Sequence, residues 1–112
     1  MLQTTFARVR DEDVPRLRAW LASLPTRRDE IHDSYRQQGT RHELFFLVPT
    51  RRGSVLVLVS EVDDADRASR SFLVSQLPVD LEFKALFQEI SPEEAEVELL
   101  YDSSDSVGIP AA

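Results

Sequence analysis

Two runs, His42-Glu43-Leu44-Phe45-Phe46-Leu47-Val48 and Val55-Leu56-Val57-Leu58-Val59, carry the strongest structural signal in the chain, with Pro49-Thr50-Arg51-Arg52-Gly53 between them. Short runs rich in β-branched and aromatic residues, separated by a Gly-containing turn, predict a β-hairpin with a loop of five residues or slightly more. Neither run alternates apolar with polar residues, so both faces of each strand require cover. Helices of the same chain can cover one face. The other needs a second layer, and too little chain remains to build it. An uncovered apolar patch of several hundred Å² represents roughly 10 kcal/mol of gross driving force at about 25 cal/mol per Å², before the costs of association. The hairpin therefore predicts a homodimer formed through the open sheet face.

Upstream, residues 2–10 read as a strand, with Leu2, Thr4, Phe6 and Arg8 on one face and Gln3, Thr5, Ala7 and Val9 on the other. Asp11-Glu12-Asp13 places negative charge ahead of a helix, and Pro15 fits its first turn, where a missing N–H costs nothing. Val14, Leu17, Leu21 and Leu24 recur at helical spacing with Trp20 beside them. Pro25 predicts a kink or short break, and Thr26 with Asp29 offers a new capping signal. The helix then resumes to Gln38 and stops at Gly39.

Downstream of the hairpin, Asp63 is the candidate cap of a helix over residues 64–75, with Ala65, Ala68 and Phe72 facing inward. Leu77-Pro78-Val79 is read as its end. Asp80 is the candidate cap of the next helix, whose Phe83, Leu86, Phe87 and Ile90 fall at i, i+3, i+4 and i+7. Ser91-Pro92 closes that helix, and residues 96–101 alternate as a strand would. Residues 1–102 thus read as one domain, and residues 103–112, mostly small and polar, as a mobile tail.

Strand, helix, strand, strand, helix pair, strand is the βαββαβ order of an α+β ferredoxin-like sandwich, a four-stranded antiparallel sheet with helices on one face. Pairing two such sheets across their open faces gives a dimeric α+β barrel. The sequence resembles that group of proteins, which holds antibiotic-biosynthesis-type monooxygenases and rhamnose mutarotases. The likeness is local over Arg27-Arg28-Asp29-Glu30-Ile31 and Gly39-Thr40-Arg41-His42-Glu43-Leu44-Phe45-Phe46-Leu47. The first segment is similar to the Arg-His-Asp-Glu-Ile of rhamnose mutarotases, with Arg28 where their pattern has a catalytic His. The resemblance implies a ligand site in the space between helices and sheet.

Composition narrows the function classes. The 112 residues include no Cys, which removes disulfide scaffolds, thiolate zinc sites, iron–sulfur clusters and cysteine nucleophiles. No apolar run approaches the roughly 18 residues needed to span a bilayer, and no signal-peptide layout begins the chain, so a cytoplasmic location is expected. A formal net charge of −7 argues against nucleic-acid and anionic-membrane partners. That charge is uneven: residues 1–52 hold ten Arg against seven Asp or Glu, and residues 53–112 hold three basic against thirteen acidic residues. Opposed halves of this kind suit self-association. Only three Gly are present, with no phosphate loop and no Gly-x-Ser-x-Gly turn.

The candidate site residues are Trp20, Arg28, His32, Tyr35 and His42. If the first helix keeps its register through Pro25, then Trp20, Leu24, Arg28, Ile31 and Tyr35 share a stripe, with His32 beside Arg28 and Tyr35. Arg28 is then a cation on a face built for burial, suited to an anionic or hydroxylated small molecule. The alternative is structural, with Arg28 snorkelling, His32 solvated and Tyr35 packed at a rim. His42, beside Glu43 and near Glu61, is a candidate acid–base group. The two His are ten residues apart without helical ligand spacing, and Asp63-Asp64-Asp66 lacks the Gly and later Glu of a calcium loop. Neither a metal nor another cofactor is expected. Arg8 with Arg10, and Arg51-Arg52 in the turn, are read as surface charge.

Two functions remain open: a homodimer binding a small organic or anionic ligand between helices and sheet, and a cofactor-free monooxygenase- or isomerase-type enzyme acting on a small organic substrate. The pocket discriminates between them. A cavity reached by Arg28, His32, Tyr35 and Trp20 favours the enzyme, and a gap filled by Phe72, Phe83 and Phe87 favours a structural role.

Overall fold

A computed structural model describes residues 1–90, 94–95 and 97–103. Its centre is the predicted hairpin: β1 (Leu2–Val9) and β2 (Thr40–Thr50) flank β3 (Gly53–Val62) in an antiparallel sheet. β3 pairs with β1 from Leu2 opposite Glu61 to Val9 opposite Ser54, and with β2 from Thr40 opposite Val62 to Thr50 opposite Gly53. The turn is tighter than the predicted five-residue loop, since only Arg51 and Arg52 lie between the paired Thr50 and Gly53. Neither Arg has a positive φ, whereas Gly53 takes +106°, so the left-handed backbone falls where there is no Cβ to clash. Thr50 Oγ1 closes the turn by donating to the Gly53 carbonyl at 2.5 Å.

Residues 97–101, the described part of the strand predicted over 96–101, form no strand. A two-residue segment, β4 (Glu94–Ala95), pairs instead with Ala7 and Phe6 on the outer edge of β1, and residues 97–102 carry no strand pairing. Leu99, Leu100 and Tyr101 are each at least 70% exposed, so the alternation has no apolar burial to hold it to the sheet. Residues 96 and 104–112, parts of the predicted strand and tail, lie outside the described residues.

Pro25 breaks the first helical stretch as its missing N–H requires. α1 (Val14–Ser23) passes into a 3-10 segment, Leu24–Arg27, before α2 (Arg28–Gln38). The predicted Thr26–Asp29 cap is absent. Arg27 is the N-cap without a side-chain bond, and Thr26 Oγ1 donates back to the Ser23 carbonyl at 2.6 Å, so its hydroxyl serves the preceding turn. α2 ends at Gly39 with φ +73°.

α3 (Ala65–Val74) is capped by Asp64, which accepts from the Arg67 amide at 3.1 Å; the predicted cap, Asp63, instead accepts from Arg41 at 2.8 Å. Leu77-Pro78-Val79 does not end a helix but begins α4 (Pro78–Ile90), because a Pro in the first turn leaves no intrahelical bond unmade. Asp80 therefore stands inside the first turn of α4 rather than capping it.

The helices cover one sheet face. Val9, Leu17, Leu56, Leu86 and Ile90 form the buried core there, with Leu21, Phe45, Leu47 and Phe87 packed around it. The other face carries the rows Thr4–Val59–Leu44, Phe6–Val57–Phe46 and Arg8–Val55–Val48. No element among the described residues covers it, and Leu44, Phe46 and Val48 remain 43%, 50% and 45% exposed. No helix among the described residues is long and apolar enough to cross a membrane.

Ion pairs account for part of the charge asymmetry within a single chain. Arg16 with Glu89, Arg27 with Glu82 and Arg41 with Asp63 each join a first-half Arg to a second-half acid. Gly39→Ala is expected to lower the unfolding free energy by roughly 1–2 kcal/mol through its left-handed backbone, and Leu17→Ala by about 2–5 kcal/mol through the cavity it leaves. Urea titration by circular dichroism measures both.

Candidate functional site

α2 reads Arg-Asp-Glu-Ile-His-Asp-Ser-Tyr-Arg-Gln-Gln, and its inward positions at helical spacing are Ile31, Ser34, Tyr35 and Gln38. A helix whose buried stripe is half polar cannot close down on an apolar sheet without leaving donors unsatisfied. The sheet answers with polar residues at the same end: Thr40 and Glu43 on β2 and Ser60 on β3. A β-bulge between Thr40 and His42 resets the strand alternation, so Thr40 and Glu43, three residues apart, both face the helices. Between this polar end and the apolar core lies a cavity of about 640 Å³. Its exposed lining residues Thr5, Ser69, Leu73 and Gln88 mark a mouth between β1 and the α3–α4 pair. Gln3 Nε2 donates to Ser69 Oγ across it at 3.3 Å.

One wall is a directed hydrogen-bond chain. Thr40 Oγ1 donates to Gln38 Oε1 at 3.1 Å, Gln38 Nε2 to Ser34 Oγ at 2.8 Å, and Ser34 Oγ to Asp80 Oδ1 at 2.6 Å. Ser75 Oγ donates to the second oxygen, Oδ2, at 2.6 Å. Asp80 is only 4% exposed, so these hydroxyls replace the water it gives up.

Glu43 stands next to this wall, accepting from Ser60 Oγ at 3.0 Å, with the Tyr35 hydroxyl near enough to act on its charge. Burial pushes its carboxyl above the ordinary value of 4.5; the two hydroxyls offset part of the rise, and the Asp80 charge adds to it. Burial likewise raises the Tyr35 phenol, with the neighbouring Glu43 as second cause. A carboxyl whose proton affinity is raised by burial, set beside a phenol in a cavity wall, can exchange a proton with a bound molecule.

The opposite wall is aromatic. Phe83 of α4 stacks on Phe87 with centroids 4.4 Å apart and meets the edges of Trp20 and Phe72, each at 5.3 Å. Phe45 is tilted against it at 6.1 Å. Trp20 Nε1 donates to Glu82 Oε1 at 3.4 Å, and Arg27 grips Glu82 at 2.6 and 2.8 Å and Glu30 at 2.7 and 2.9 Å. Hydrogen bonds from Arg27 hold both carboxyls below the usual range. Lys84 donates to the carbonyls of Phe72, Leu73 and Ser75, each at 3.1 Å, where α3 ends.

Of the five residues singled out from the sequence, the structure brings Trp20 and Tyr35 together in the cavity lining. Arg28 and His32 are exposed and do not line it: Arg28 is the first residue of α2, a turn ahead of Ile31, and His32 lies off the stripe through Ile31, Ser34, Tyr35 and Gln38. His42 is exposed on the uncovered sheet face opposite Glu61, and its neighbour Glu43 points inward. Phe72, Phe83 and Phe87 line the space without filling it. Asp80, Ser34, Gln38, Thr40 and Ser60 were not singled out. For Ser34 and Gln38 the signal was present, since both lie on the helical stripe through Ile31 and Tyr35. Among the described residues no three acidic or imidazole groups converge as metal ligands.

Compared with known proteins, residues 2–106 match a family described as a family of unknown function, DUF6176. No curated protein and no solved structure matches.

Because the folded chain holds the Glu43 proton more tightly than the unfolded chain, this residue lowers stability as pH rises from about 4.5 through its raised value. Glu43→Gln is expected to abolish that slope, so the stability of the variant relative to the parent increases across this window in urea titrations at stepped pH. Asp80→Ala strands two buried hydroxyls and is expected to cost about 2–4 kcal/mol at any pH in that series.

Proposed function

The chain belongs to the DUF6176 family, and we propose that it is a homodimer binding a small organic molecule between its helices and its sheet. The cavity carries the reading. At about 640 Å³ it falls in the range of roughly 300–1,000 Å³ that small-ligand sites occupy, and it combines apolar lining with a few fixed polar groups. No Arg lines it, and the Lys84 ammonium is engaged by three carbonyls, which speaks against the anionic ligand that Arg28 suggested.

The dimer rests on the uncovered sheet face. Strand order β2-β3-β1-β4, with the helices on one side, suits a ferredoxin-like domain, and two such domains meeting face to face would bury Phe46, Leu44 and Val48 with their neighbours on β3 and β1. The geometry makes a cofactor-free isomerase-type enzyme the second reading. Its support is the Tyr35–Glu43 pair, a phenol and a buried carboxyl that act on one another in the cavity lining. Monooxygenase-type chemistry has no comparable observation in its favour.

Light scattering at micromolar concentration is expected to give twice the 12.8 kDa chain mass, and Phe46→Asp to give the chain mass alone. A monomeric parent protein overturns the dimer. For the ligand site, small organic molecules detected by ligand-observed NMR are expected to lose binding in Ala68→Phe, which fills the cavity. Hits unaffected by that variant, with its circular dichroism unchanged, overturn the site.

A further inference from the structure

The inventory of donors and acceptors around the cavity defines the class of ligand. Thr40, Gln38 and Ser34 pass their donors along one chain that ends on Asp80, and Ser75 closes on the same carboxylate. Ser60 gives its donor to Glu43, and the Tyr35 hydroxyl stands beside the same carboxyl. With these hydroxyls engaged, one N–H of Gln38 is the donor this wall still holds, and what it chiefly offers a guest is acceptance. A carboxylate has about four lone-pair sites; Asp80 has two identified side-chain donors and Glu43 has Ser60, with Tyr35 next to it.

Charge points the same way. Among the described residues, Glu43, Asp80 and Lys84 are the ionisable lining groups besides Tyr35. Lys84 is held by three carbonyls at the end of α3, over the Phe72 ring at 5.5 Å. Neither Glu43 nor Asp80 takes part in an ion pair among the described residues, although every other close carboxylate–Arg contact lies outside on the surface. Two carboxylates enclosed with hydroxyl partners only, facing the rings of Trp20, Phe45, Phe72 and Phe83, form an environment that attracts a cation and repels an anion.

We propose that the cavity binds an organic ammonium ion, an amine carried on an aromatic or bulky apolar body, with its N–H groups directed at Glu43 and Asp80 and its body against the aromatic wall. This rests on the reading that the cavity is a ligand site. An ammonium supplies the donors and the charge that the polar wall lacks. Its hydrocarbon part replaces water along the Phe83 cluster, and the ring faces stabilise whatever charge remains near them. A neutral alcohol would supply one donor and no charge. A carboxylate would bring acceptors to a wall of acceptors.

The test uses the full-length protein and matched probes that differ only in the head group: 2-phenylethylamine, 2-phenylethanol and 3-phenylpropionate, with a parallel set on a naphthyl body, titrated calorimetrically near neutral pH. The amines are expected to bind at least about tenfold more tightly than the alcohols, with the acids weakest. Glu43→Gln is expected to reduce amine affinity about tenfold and to change alcohol affinity less than about twofold. Should that variant fold poorly, the head-group comparison in the unaltered protein still decides. Alcohols or acids binding as tightly as amines overturn the ammonium assignment and leave the ligand site standing. Failure of every probe to bind at millimolar concentration, in a protein whose Ala68→Phe variant also loses no ligand, overturns the site and the assignment together.

Discussion

The carboxylate of Asp80 is the contact on which the arrangement of the helices turns. It gathers a hydroxyl from α2 and a hydroxyl from the link between α3 and α4, and through Ser34 and Gln38 it reaches Thr40 at the start of β2. A carboxylate this deeply buried is tolerable only with its acceptor sites occupied, so the three segments are held at the spacing that satisfies it. The cavity lies between that hydrogen-bonded polar end of α2 and the apolar core of Leu17, Leu56, Leu86 and Ile90.

The sheet is divided in the same physical way. Its helix-covered face grades from a dense core around Val9 and Leu56 to the polar residues Glu43 and Ser60, while its other face is apolar along the central rows of β1, β2 and β3. One face thus holds a cavity within the chain and the other offers a surface beyond it. The charge asymmetry along the sequence has an intrachain outlet in the pairs Arg16–Glu89, Arg27–Glu82 and Arg41–Asp63, which tie α1, the 3-10 segment and β2 to acidic residues downstream. All involve exposed groups, so each contributes at most about 1 kcal/mol, and their larger effect is on which elements lie side by side.

Most of the fold was legible from local patterns. The hairpin, the helix break at Pro25 and the stop at Gly39 each follow from a property of a few adjacent residues: β-branched and aromatic runs, a missing N–H, a left-handed backbone. Cap and turn details differ for local reasons, but the failures that bear on the site share one cause, namely that the deciding contact lies outside the local pattern. Residues 97–101 continue the predicted alternation but stay exposed, with no strand partner among the described residues. Asp80 reads as a helix cap because the hydroxyl of Ser34, 46 positions upstream, is invisible locally. His42 and Glu43 were exchanged in importance because a single bulge decides which faces inward. Trp20 and Tyr35 line the cavity, whereas Arg28, the first residue of α2, is exposed outside it.

The sequence by itself determined the class of the elements, the antiparallel hairpin and the excess of apolar surface on it, because strand propensity, proline chemistry and side-chain alternation act over a few bonds. Tertiary structure alone decided that a cavity exists, that two carboxylates border it with no ion pair among the described residues, and that the Arg and His residues favoured beforehand stand outside it. Those outcomes depend on one bulge and on hydrogen bonds between distant segments. Burial, charge and satisfied acceptors are properties of the assembled chain, and no local pattern contains them.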